Sequence, residues 1–171
     1  TDWTEPVDLT TVVTPGVDAT ITLPPAEFVR DSSYLFLEND DRLGERYYFW
    51  SAGSGFDERM PSDGMMILHT DVGSNPDALP PLQFNGTRFT YLIVQSDGLH
   101  ELEAGRVVDP VCGDGGDVLP GSANKRRFNF STNPSATWYT QNAWTGLDVL
   151  DVQPDESGSM QVKLNWVPTS V

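Results

Sequence analysis

The chain has 171 residues, of which 38% are hydrophobic and 20% charged, with a formal net charge of −15. That length fits one domain able to bury a core without staples, and so acidic a surface argues against nucleic-acid and membrane-surface roles. With 13 prolines, 15 glycines and a single cysteine, Cys112, the chain is cut into short pieces and can form neither an internal disulfide nor a cysteine-based zinc knuckle.

No helical period survives beyond about ten residues, whereas short β-rich runs recur between turn signals. In chain order they are "TTVVT" (10–14), "ATITL" (19–23), "SYLFLE" (33–38), "RYYFWS" (46–51), "MMILHT" (65–70), "FTYLIVQ" (89–95), "RFNFS" (127–131), "LDVLDV" (147–152) and "MQVKLNWV" (160–167). About nine strands separated by turns predict an all-β chain, an antiparallel, jelly-roll-like β-sandwich formed by residues 1–171 as a single domain. "ATITL" and "MQVKLNWV" alternate polar and apolar residues, as strands with one wet face do. "YLFL", "MMIL" and "YLIV" are apolar on both faces and predict central strands covered on both sides. Two long loops, 71–88 and 97–126, interrupt the pattern, and loops of such length commonly carry function. No apolar stretch is long enough to span a bilayer. The start "TDWTEPVDL" also lacks the charged and apolar regions of a signal peptide.

Strand alternation places Met65, Ile67, His69 and Asp71 on one face, so His69 and Asp71 are neighbours. A zinc site needs three or four ligands; the only other histidine is His100, and there is no HExxH helix. His69 therefore reads as a structural, hydrogen-bonded strand residue. No Gly-x-Ser-x-Gly elbow is present, and the acidic surroundings of Cys112 would raise its thiol pKa rather than activate it. The 25 acidic residues offer many carboxylate pairs, which leaves a glycoside-active enzyme open as an alternative without singling out a pair.

The second long loop is the better candidate for a site. "DPVCGDGGDVLPGS" sets Asp109, Asp114 and Asp117 among glycine-permitted turns, the setting in which clustered oxygens hold calcium, although the spacing is not that of an EF-hand. The alternative for the same residues is a glycine-rich turn with solvated aspartates. Aromatic side chains suggest a further alternative, a free-standing carbohydrate-binding module using Trp50, Trp138, Tyr139 and Trp144 as platforms for sugar rings.

Several segments, taken in order, resemble the C-terminal, non-catalytic region of secreted bacterial zinc metalloproteases of the immune inhibitor A type. The segments are "YLFLEND" (34–40), "GFDERMPSDG" (55–64), "MMILHTD" (65–71), "VQSDGL" (94–99), "GDGGDVLPGSAN" (113–124) and the closing "TNPSATWYTQNAWTGLDVLDV" (132–152). Two positions depart from the family pattern: Leu68 stands where the family has a tryptophan before the histidine, and Gln95 where it has a glutamate. The resemblance implies a secreted, extracellular accessory domain attached to a protease domain in the same parent chain. It implies no catalytic centre here, since nothing matches the zinc-binding helix. It also implies structural calcium, and it carries over Glu38, His69, Asp71, Asp97, Asp114 and Asp117 as polar positions. Glu38, Asp71 and Asp97 thus join Asp109, Asp114 and Asp117 as candidate calcium ligands. A polysaccharide or a protein would be the ligand of such a domain.

Overall fold

The computed structural model describes residues 6–25, 34–39, 44–52, 62–71, 91–100, 114–139 and 143–169. Its strands are β1 (Val7–Asp8), β2 (Ala19–Leu23), β3 (Leu35–Glu38), β4 (Glu45–Ala52), β5 (Gly64–Asp71), β6 (Tyr91–Ile93), β7 (Leu119–Pro120), β8 (Leu147–Pro154) and β9 (Met160–Trp166), with one short helix, α1 (Leu9–Val12). They form two packed sheets, an antiparallel sandwich and not a barrel. One sheet runs β1-β3-β4-β5-β6, with β7 also pairing β5, and the other runs β2-β9-β8. Among the described residues only the short β1–β3 contact is parallel.

Period-2 alternation builds the core. Leu35 and Leu37 of β3, Tyr47 and Phe49 of β4, and Met65 and Ile67 of β5 face Ile21, Leu23, Leu147, Val149, Val152, Met160, Val162 and Leu164 of the second sheet. The outer face of β5 is covered as well: Met66 packs with Ala52 and Val118, beside Trp50 and Ile93. This is the two-sided burial that "MMIL" foretold. By contrast β3 buries only alternate residues, and Tyr91 of β6 is 66% exposed. Along β8 a bulge between Val149 and Asp151 resets the alternation. Val152 thereby turns inward while Asp151 points out toward Arg126, 3.7 Å away.

Two of the expected strands are corrected. "TTVVT" begins inside a helical turn, because the Asp8 carboxylate accepts the Thr10 N–H at 2.9 Å and caps it. Burial of Leu9 then outweighs the β preference of the threonines and valines. "RFNFS" contributes a single bridge, Phe128 to Val149. Asn129 takes the chain out of the sheet: its Oδ1 accepts from the Ser131 N–H and hydroxyl, and its carbonyl accepts from Thr132. The two-residue strands β1 and β7 are too short to leave a periodic signal.

Candidate metal centre

Two turns meet at the β6–β7 edge of β5. After β6, Asp97 folds its carboxylate back so that Oδ1 accepts the Leu99 N–H at 2.9 Å, with Gly98 at φ 77°. Before β7, the 114–117 turn closes on itself. Asp114 Oδ1 accepts the Gly116 N–H, Asp117 Oδ2 accepts the Asp114 N–H at 2.8 Å, and the Asp114 carbonyl accepts the Asp117 N–H at 3.2 Å. The turns are then laced together. Ser96 N–H donates to the Asp117 carbonyl and Asp97 N–H to the Gly116 carbonyl, both at 3.1 Å, and the buried Ser96 hydroxyl reaches the carbonyls of Gly116 and Val118.

This lacing brings Asp97, Asp114 and Asp117 together, each offering a carboxylate oxygen within 4.8 Å of the others. Gly116 makes the approach feasible: a Cβ there would collide with Asp97 Oδ2 and lie 2.9 Å from Asp114 Oδ1. Asp117 is buried, Asp97 half-buried and Asp114 exposed, so the group has a sealed side and an open side. Oxygens about 2.4 Å from one calcium-sized ion stand at most about 4.8 Å apart, a bound that these three carboxylates meet. The donor set is all oxygen, with no histidine or sulfur, which suits a hard cation rather than zinc. The Lys125 ammonium does not take that place, since it donates to the Asp97 backbone carbonyl at 2.8 Å and to the Asn133 carbonyl at 3.3 Å.

Three of the six expected calcium ligands therefore converge. Asp109 lies outside the described residues, as does Cys112. Glu38 and Asp71 do not join the group. Glu38 pairs with Arg46 across β3 and β4, at 2.8 Å to Nη2 and 3.0 Å to Nε. Asp71 closes β5 opposite Glu45, deep in the first sheet. The aromatic residues do not form an exposed platform either. Trp138 is a core residue, 7% exposed; Trp50 backs the outer cluster of β5; and Trp144 donates its indole N–H to the Leu147 carbonyl at 3.2 Å. Tyr139 is stacked on His69.

His69, which the sequence reading expects to be a hydrogen-bonded strand residue, is buried in β5. Its ring is sandwiched between Tyr47 and Tyr139, with centroids 4.1 and 4.0 Å away. Its Nε2 lies 3.2 Å from Glu45 Oε1. The Tyr139 N–H donates to the same Oε1, and Asn39 Nδ2 donates to Oε2 at 3.0 Å. Burial by itself would raise the Glu45 pKa, but the hydrogen bonds from His69, the Tyr139 N–H and Asn39 prevail and hold it at about 2. For His69, burial lowers the pKa and outweighs the upward pull of the Glu45 carboxylate. The pair is thus a carboxylate with a neutral imidazole that donates from Nε2. Burial likewise pushes the Tyr47 phenol well up, and it remains a donor to the Thr137 carbonyl at 2.7 Å.

Sequence reasoning missed Glu45, because a glutamate beside a turn reads as solvated. The period-2 register Glu45, Tyr47, Phe49 was the available signal that it faces inward.

Compared with protein-family models, curated proteins and solved structures, the chain matches none.

Proposed function

We propose that the chain is a non-catalytic β-sandwich module whose loops are fastened by one structural calcium at Asp97, Asp114 and Asp117. The supporting observation is the convergence of these three carboxylates from two turns far apart in sequence, around a glycine whose missing side chain leaves them room. Waters and nearby carbonyls would complete the shell of six to eight oxygens that calcium takes. The turns that meet here come from "VQSDGL" and "GDGGDVLPGSAN", two of the segments that resemble the immune inhibitor A-type proteases. That coincidence favours an accessory domain of a secreted metalloprotease-like protein, in which this module follows a protease domain. The experiment is thermal unfolding with calcium and with a chelator. At a calcium concentration 100 times Kd, binding to the folded state adds about 2.7 kcal/mol, which raises Tm by roughly 5–10 °C for a chain of this size. Asp117→Asn should remove the rise, and a wild-type Tm unchanged by calcium would refute the metal assignment. The parent-protein reading is checked separately, by whether the coding sequence upstream of Thr1 holds an HExxH domain.

A further inference from the structure

Described residues line an open cleft of about 340 Å³ beside the 125–134 segment. Its floor is apolar, made by the buried Val94, Leu119 and Phe128 with Pro134, and its rim carries Lys125, Arg126 and Arg127. Among the described residues no acidic one lines it, although acids outnumber bases by 25 to 10 in the whole chain. Three of those ten cations therefore surround one concave surface, against the field of the rest of the molecule.

The three cations differ in what they have left to offer. Lys125 donates to the backbone carbonyls of Asp97 and Asn133, so its ammonium is already engaged. Arg126 donates to Asn124 Oδ1 and to the Val152 carbonyl, both at 3.1 Å, and stands near Asp151, so its charge is largely answered. Arg127 is exposed and makes no hydrogen bond or ion pair among the described residues.

We infer that this cleft binds a small organic carboxylate, held by the Arg127 guanidinium with its carbon body over Val94, Leu119 and Phe128. A planar guanidinium matches a carboxylate through two parallel N–H donations. One unanswered cation in a strongly acidic molecule suits a single negative charge better than a phosphate dianion. A mostly apolar lining with a few directed polar groups, at a few hundred Å³, has the make-up of a small-molecule site. The site does not rest on calcium occupancy, and it is tested without added metal.

Benzoate, benzamide and inorganic phosphate would be titrated into the protein at low salt and followed by chemical-shift changes. Benzoate should saturate the cleft resonances and weaken as salt rises. Benzamide and phosphate should bind at least about tenfold more weakly, the loss of one charge-assisted fork. Arg127→Gln should lose benzoate binding, and Arg127→Lys, which keeps the charge but not the fork, should lose most of it. Both should leave Tm unchanged. Absence of saturable benzoate binding would overturn the assignment. So would equal binding of benzoate and benzamide, phosphate binding as tightly as benzoate, or Arg127→Gln binding benzoate like wild type.

Discussion

Replacing Glu45 with glutamine keeps the shape of a fully buried side chain and removes its charge. In the native chain the carboxylate is the common acceptor for His69 Nε2, the Tyr139 N–H and Asn39 Nδ2. In the variant an Asn39 amide turned end for end could still pair with the new NH2 group. The Glu45 pKa falls from an ordinary 4.5 to about 2, and at about 1.4 kcal/mol per pH unit this links on the order of 3 kcal/mol of stability to its ionisation. Because the folded pKa is the lower one, that stability is present above pH 4.5 and is lost as pH falls toward 2. His69, also lowered on folding, acts in the same direction: the unfolded imidazole takes up a proton first, so stability declines below about pH 6.5. Urea unfolding followed by tryptophan fluorescence, at pH 6 and at pH 3, separates the two groups. At pH 6 Glu45→Gln should be less stable by about 2–3 kcal/mol. Between pH 6 and pH 3 the wild type should lose about 2 kcal/mol more than the variant. Equal losses in the two proteins would refute the reading of Glu45 as an ionised buried acceptor.

Three further outcomes are expected. Gly116→Ala should abolish the calcium-dependent rise in Tm, because its Cβ would displace Asp97 Oδ2. Gly16→Ala, at a positive φ but facing open space, should lower Tm equally with and without calcium and leave the rise intact. Tyr47→Phe should cost about 1–3 kcal/mol in urea unfolding, since the Thr137 carbonyl loses its donor while the ring stack remains.

The sandwich was legible because its long strands carry their own period: β4, β5, β8 and β9 all lie under runs that alternate or are wholly apolar. The exceptions fail for local reasons. A capping aspartate at Asp8 and an Asn129 turn each redirect a β-prone segment, and neither effect shows in a hydrophobic pattern. At the candidate metal centre, the glycine-rich turn pointed to Asp114 and Asp117, whereas Asp97 came from the family resemblance. What drew them together, Ser96 bridging two turns and the absence of a side chain at Gly116, is a matter of backbone approach that composition does not encode. Glu38 was misread for a related reason: a carboxylate on a strand is claimed by whichever cation the register sets opposite, here Arg46.

The edges of the two sheets carry a last consequence. β5 is flanked by two short pieces, β6 and β7, instead of one long neighbour. The far edge of the same sheet ends in the two residues of β1, and on its side away from β9, β8 meets a single bridge from Phe128 among the described residues. β2 remains, five residues bounded by Pro15 on one side and by Pro24 and Pro25 on the other, with no ladder on its outer side among the described residues. A strand from another molecule would find little uninterrupted backbone to add to, and it would approach against the repulsion of two strongly acidic chains. Among the described residues the sheet edges are thus short or interrupted, the form that disfavours strand addition between copies.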